Sequence, residues 1–463
     1  MKRKRLTFLA PAPALAVIGV VVATVGVSDP SSRLAVPFLA VLGLLVTDGL
    51  ARLQPDRRAA TYLRNLMLLG VAVRLLVFAL VHQTVGPYVF APDQLTYESR
   101  GMGLLNYWSG LGPLPSRLGE NLQVAYPAIN AALFAFFGAA RAAPAVLNMF
   151  FSAWTAIPVY HLALLVVRRN ESVARLAAGL TVFFPSLILW SVLNIREAPT
   201  ILVLVSAVYF CARLQHRPGI GALAGAVVML AALTLFREYL TLLVGGAAAA
   251  GILMGRSRSP GRAFVAGTVL LLTLAYGAQV LGLGRTLAGE PTLEHVQQVR
   301  EGFLFGARSA YGQSADVSTA AGAIAFLPIG LTFFMLAPFP WNIGSTLQAI
   351  TLPETAVWYA ILPLGLWGAY LGLRHDPRAY TVPLTAVVLV TFAYALVEAN
   401  VGTAYRHRAQ VLPVIFVFCA LGIRDVHAIY LARRRARAER RRRAKAIAEG
   451  PLASPGASGP SPR

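Results

Sequence analysis

Asp93, Tyr97 and Glu98 stand in the stretch VFAPDQLTYESRG, residues 89–101, directly after a long apolar run. A carboxylate at a membrane boundary, followed about one helical turn later by an aromatic and a second acid, suits a general base with its supports. Asp93 also follows Pro92, and Asp is a favoured helix N-cap, so it equally suits a surface helix in need of a cap. A second acid, Glu197, follows Arg196 in the turn after FFPSLILWSVLN. Arg196 and Glu197 read either as a local ion pair at the membrane boundary or as part of a site. In the second case Glu197 faces Asp93 and helps to hold a water, an acceptor or a divalent ion.

The cations follow the same pattern. Arg237 lies in FREYL between two apolar runs, where a guanidinium can grip a phosphate at the membrane surface. Tyr405, Arg406, His407 and Arg408 form the run YRHR, whose two Arg suit a lipid phosphate at headgroup depth. Unspecific contact with headgroups is the other reading, weakened because basic residues are disfavoured in short outer loops. Arg74 sits mid-run, where a charge needs an interior partner such as Glu398, or a ligand. No Walker loop, GxGxxG, HExxH or GxSxG occurs, so nucleotide-driven transport and soluble-type hydrolase chemistry have no support. Cys211 and Cys419, both in apolar runs, offer neither a disulfide framework nor a zinc site.

The elements that must position these groups are membrane helices. The chain of 463 residues is 57% hydrophobic and 13% charged; its mean hydropathy is +0.64. Soluble domains carry about 25% charged residues, so this composition is that of an integral, all-α membrane protein. Apolar runs at 6–27, 34–53, 63–86, 144–167, 173–193 and 198–214 are followed by runs at 220–236, 239–255, 263–284, 354–373, 381–398 and 411–430. They predict about twelve transmembrane helices. MKRKR with 6–27 is longer than a signal-peptide core and reads as a first span.

Two further apolar stretches decide the topology. If neither 126–138 nor 323–341 crosses, Arg57, Arg58, Arg64, Arg168, Arg169, Arg213, Arg217, Arg256, Arg258, Arg262, Arg374 and Arg378 share one side with both termini. That predicts cytoplasmic termini, and it puts Asp93, Glu197, YRHR and two long loops, 87–143 and 285–353, on the outer face with juxtamembrane helices. Of the net charge of +22, residues 433–445 supply nine basic side chains against Glu439. Beside a final span, such a run meets anionic lipid rather than nucleic acid. PLASPGASGPSPR, after it, has a disordered composition.

The order of these pieces resembles the GT-C superfamily of polytopic glycosyltransferases that use polyprenyl-phosphate sugars. It is similar to protein O-mannosyltransferases and lipid A aminoarabinose transferases. The resemblance rests on the outer-loop acid, then YPAINAALFAFFG, VLNMFFSAWTAIPVYHLA and FFPSLILWSVLNIRE, and finally NVGTAYRHRAQVLPV. It implies a GT-C-like core at 63–430, a two-span extension at 1–62 and a cytoplasmic tail at 431–463.

It also implies a membrane glycosyltransferase in a bacterial plasma membrane, with an extracytoplasmic site. Asp93 would be the general base and Glu197 the second acid of the site. Tyr97, Glu98, Arg196, Arg237, Tyr405, Arg406, His407 and Arg408 would bind substrate, the donor would be a polyprenyl-phosphate sugar and the acceptor is open. Two departures stand out: Gln94 follows Asp93 where many members have an adjacent Asp-Glu pair, and Glu197 stands where many have Asp. No metal ligand set is expected, although a divalent ion is compatible with the acids. A flippase of lipid-linked glycans, or an oligosaccharide polymerase or ligase centred on the outer arginines, are the alternatives.

Overall fold

The computed structural model describes residues 11–115, 123–254, 293–305, 307 and 309–448. Among these the secondary structure is helical apart from one isolated bridge between Ala310 and Asn400. Many helices begin where the sequence supplies an acceptor for orphan N–H groups. Asp29 accepts from Ser32, Asp56 from Arg58 and Ala59, Asn170 from Val173, Thr319 from Gly322 and Asn400 from Gly402.

Among the described residues eight helices are long and apolar enough to cross a membrane, or nine if the bent pair Glu171–Phe183 and Pro185–Ser191 is one span. The expected twelve spans in a GT-C-like arrangement are thereby corrected. Four runs account for the difference from nine. Run 6–27 is described only as Ala12–Val25, 14 residues, and 6–10 lie outside the described residues. Runs 220–236 and 239–255 lie in the one helical element Ile220–Leu253, which counts once although it reverses at Arg237. Run 263–284, like the arginines at 256, 258 and 262, lies outside the described residues. Helices Ala125–Phe137 and Ala320–Leu336, from the two ambiguous stretches, also fall short of the length of a span.

Ile220–Leu253 is not straight. Arg237 leaves helical geometry at φ −156° and ψ 95°, and Thr241 Oγ1 donates to the Leu230 carbonyl at 3.2 Å. Eleven residues of continuous helix would separate those groups by about 16 Å, so the chain doubles back at Arg237. Both arms lie along Glu197–His216, with Gly225 against Phe210 and Gly251 against Gln215. This fold presents Arg237 at one end of the bundle.

The first two helices pack into the same core as the rest. Gly43 leaves room for the Phe150 ring, and Ser32 Oγ accepts from the Ala142 N–H at 3.2 Å. Arg74 is fully buried, but its partners are neutral: Ser191 Oγ, Ser152 Oγ and the Gly70 and Val182 carbonyls, at 2.8–3.0 Å. Glu398 is not among them, so Arg74 is a structural tie among three helical segments. Outward-facing Val21, Leu45, Leu80 and Leu366 are 60–66% exposed, as side chains facing lipid would be.

Helices Leu352–His375 and Leu412–Ala448 touch backbone to backbone. A Cβ on Gly368 would stand 2.0 Å from the Phe418 carbonyl, and one on Gly422 would stand 1.9 Å from that of Leu364. Small residues permit such close crossings. Gly422→Val is expected to force the helices apart and cost about 1–3 kcal/mol. Thermal unfolding in detergent checks this, and an unchanged midpoint would show that the contact is not tight.

Candidate functional site

Four chain segments distant in sequence meet at one end of the bundle: the turn at Asp93, the start of Glu197–His216, the bend at Arg237 and the short helix Val401–Arg408. Gln94 ties the first two. Its amide donates to the Pro87 and Ala91 carbonyls at 2.7 and 3.1 Å, and its Oε1 accepts from the Asn194 N–H at 2.7 Å. Asn194 is held in turn by Tyr126 and Asn130, and Asn148 donates to the Leu193 and Ile195 carbonyls. The turn bearing Glu197 is therefore fixed by buried amides.

Asp93 occupies the N-cap of helix Gln94–Trp108, but its side chain makes no capping bond. It accepts instead from Arg406 Nη1 at 2.8 Å, across 313 residues of chain. Arg406 Nε lies 2.7 Å from Glu197 Oε1, and Arg237 Nη2 donates to the same oxygen at 3.1 Å. Glu197 is wholly buried whereas the Asp93 side chain is 41% exposed. The order Asp93, Arg406, Glu197, Arg237 thus runs from solvent into the protein. Neither single-residue reading holds: Asp93 is not merely a cap, and Glu197 pairs with Arg406 and Arg237. Its neighbour Arg196 instead donates to Gln123 and, at 3.4 Å, to the Phe236 carbonyl.

Behind this line stands a second layer. Arg237 Nη1 donates to the Tyr239 hydroxyl at 2.6 Å, Tyr239 meets Tyr394 at 2.8 Å, and Tyr394 donates to Gln410 at 2.7 Å. Arg237 Nη2 also lies 2.9 Å from His407 Nε2. That nitrogen accepts, which leaves the ring proton on Nδ1, facing Glu398 Oε1. Thr403 donates to the other oxygen of Glu398 at 2.5 Å, and Arg300 holds the Glu398 carbonyl at 2.6 Å. Burial, with Arg237 and Arg406 beside it, keeps the His407 imidazole well below its ordinary value and hence neutral.

Burial pushes Glu398 up to about 7, against the opposing pull of Thr403 and the nearby Arg237, Arg406 and Arg300. The folded state therefore holds a proton that the unfolded chain has released above its ordinary carboxylate value. The stability of this group is present at low pH and is lost as pH rises through about 7. Glu398→Gln removes that component, so the melting temperature of wild type minus variant should fall between about pH 5 and pH 8. A difference that stays flat across that range would contradict the buried-acid assignment.

The structure brings Asp93, Glu197, Arg237, Arg406 and His407 together, with Arg196 beside them. Tyr97 borders the cluster, its phenol within electrostatic reach of Arg406, Arg237 and Arg196, whereas Glu98, Tyr405 and Arg408 are placed elsewhere. Tyr97 packs edge-on against Tyr126 with ring centroids 5.1 Å apart, and Glu98 accepts from Tyr88 and lies 3.7 Å from Arg141. Tyr405 and Arg408, three residues apart, share a helix face turned away from the cluster. Arg408 donates to the Met335 and Ala337 carbonyls and lies over the Tyr405 and Trp358 rings. It closes the C-terminus of helix Ala320–Leu336, where a cation is favoured.

Glu398, Tyr239, Tyr394 and Gln410 join the cluster without having been singled out as site residues. The one available signal was an acid ending an apolar run just before NVGTAYRHR. Among the described residues no three His, Cys, Asp or Glu side chains are grouped to hold a metal ion. Arg406 stands between the two acids that would have shared one. No protein-family model matches the chain, and no curated protein matches it either. The chain is an all-α, multi-pass membrane protein.

Proposed function

We propose that the chain is a membrane glycosyltransferase that transfers a sugar from a polyprenyl-phosphate donor to an acceptor hydroxyl. The observation that carries this reading is Arg406, fixed at one end by buried Glu197 while its other end holds the half-exposed carboxylate of Asp93. The motifs that resemble GT-C transferases support the same class. In this scheme the donor phosphate takes over Arg406 Nη1, and the base is released only when donor is bound.

Asp93 then accepts the proton of the acceptor hydroxyl as its oxygen attacks the anomeric carbon. The bond from that carbon to the phosphate oxygen breaks, the electron pair leaves with polyprenyl phosphate, and the configuration inverts. Arg406, backed by Arg237, stabilises the charge that grows on the leaving phosphate. A guanidinium held by buried partners needs little reorganisation for this role. Coupling base release to donor binding also disfavours reaction with water.

The bundle end opposite the cluster carries Arg168, Arg169, Arg213 and Arg217, and Gln215 there donates to the Arg378 carbonyl at 2.5 Å. By the positive-inside rule that end is cytoplasmic, which supports an extracytoplasmic site in a bacterial plasma membrane. The basic run at 433–445 then meets anionic lipid.

The test is purified protein in liposomes supplied with extracted polyprenyl-phosphate sugars and a mixture of envelope acceptors. The expected result is release of polyprenyl phosphate together with a glycosylated product of inverted configuration. Lipid-linked glycan that crosses the bilayer without any bond being broken would replace this reading with a transporter.

A further inference from the structure

At the end of the bundle away from Asp93 lies a cavity of about 1110 Å³. The turn after Pro30–Arg52, the end of Ala156–Val166, the start of Glu171–Phe183 and the end of Glu197–His216 border it, and it is open on one side. Tyr160 and Tyr209 line it, together with Arg168, Arg169, Arg213 and Arg217. It shares no residue with the Asp93 cluster.

The lining is positive because four arginines face only Asp56 and Glu171, and both acids have other partners. Asp56 caps the next helix through the Arg58 and Ala59 N–H groups, and Glu171 holds Arg175 at 2.8 Å. Arg168 reaches Asp376 only at 3.9 Å with its side chain 75% exposed. Among the described residues Arg169, Arg213 and Arg217 have no carboxylate within ion-pair distance.

The backbone gives a second, independent observation. Helix Ala156–Val166 ends with the Arg169 N–H bonded to the Leu164 carbonyl at 2.9 Å, a Schellman closure. The residue at the left-handed position of that closure is usually Gly. Here it is Arg168 at φ 46°, and Arg169 follows at φ 59°. Side chains adopt this region at a cost, and strain of this kind gathers at ligand sites. A positive-inside bias alone asks only for cations near the boundary. It asks neither for four of them around one cavity nor for two where Gly would be relaxed.

We propose that this cavity binds a phosphate-bearing ligand. Arg168, Arg169, Arg213 and Arg217 hold its anionic group, and half-buried Tyr209 contacts its organic part. The phosphate belongs either to the headgroup of an anionic lipid entering from the bilayer or to a soluble phosphorylated compound entering from the aqueous side.

The experiment uses the full chain in phosphatidylcholine nanodiscs, titrated in separate arms with phosphatidylglycerol and with inorganic pyrophosphate. Native mass spectrometry counts bound probe, and thermal unfolding reports the accompanying stabilisation. Wild type should take up one probe saturably. Arg168→Gly with Arg169→Gly fits the backbone better than the native residues, so its unliganded melting point should hold or rise. Its affinity should fall by about tenfold or more. Arg213→Gln with Arg217→Gln, which leaves the turn untouched, should weaken binding likewise. The basic tail is the same in all three proteins and cancels.

Saturation by phosphatidylglycerol alone assigns the site to a lipid headgroup, and saturation by pyrophosphate alone assigns it to a soluble phosphate. Both uphold the proposal. Neither probe saturating wild type, or either double variant binding as tightly as wild type, overturns it.

Discussion

Glu197→Gln should lower the stability of the folded protein by about 3–5 kcal/mol, more than any other single change at the cluster. The carboxylate is wholly buried and is the shared counter-charge of Arg237 and Arg406. Gln keeps the shape and removes the charge, so two guanidinium groups stay in a site with little water and one acid fewer. Motif position alone suggests a different result, impaired transfer with folding intact. The burial argues against that. Thermal unfolding in detergent, with gel filtration to follow loss of monodisperse protein, separates the two. Replacing Arg237 by Met as well should recover part of the loss, because it removes one of the stranded charges. A variant that melts with wild type would mean that Glu197 does not carry these cations.

The expected outcome for Glu197 shows where sequence was informative and where it was not. Apolar runs and short basic loops are local signals, and helices lie where runs such as 34–53, 63–86 and 198–214 place them. The count of about twelve spans failed for reasons a hydropathy pattern does not contain. It cannot register that only 14 residues of the first run are described as helix, or that the runs on either side of Arg237 lie in one element that reverses there.

Contacts between distant segments were less legible still. The type and boundary position of Asp93 and Arg406 marked each of them as a candidate, yet nothing local joins residues 313 apart. In YRHR the four residues looked alike as candidates. A single helical turn then sends Arg406 and His407 to the cluster and Tyr405 and Arg408 to the other side, where Arg408 closes two carbonyls. Arg74 shows the converse case: a mid-span charge predicts an interior partner, but four neutral oxygens serve as well as a carboxylate.

On the proposed glycosyltransferase function, Asp93→Asn should leave the protein folded and reduce sugar transfer by about 10²–10⁴-fold, the usual contribution of a positioned general base. The two halves of this expectation have separate causes. The Asp93 side chain is 41% exposed, and a pair so open to water contributes at most about 1 kcal/mol to stability. Arg406 keeps Glu197 as its buried partner, so no charge is stranded. Asn has the size of Asp and cannot take the acceptor proton. It also holds Arg406 less tightly than a carboxylate does, so the donor phosphate meets less competition for Nη1. The loss should therefore appear in kcat, with KM for the donor unchanged or lower. Arg406→Lys should differ in kind. An ammonium cannot keep the two-point grip on Asp93 and Glu197, so donor KM and kcat both suffer. Transfer assays in liposomes with the two variants side by side distinguish the roles. Wild-type turnover in Asp93→Asn would remove Asp93 as the base and leave Arg406 and His407 as the centre of the chemistry.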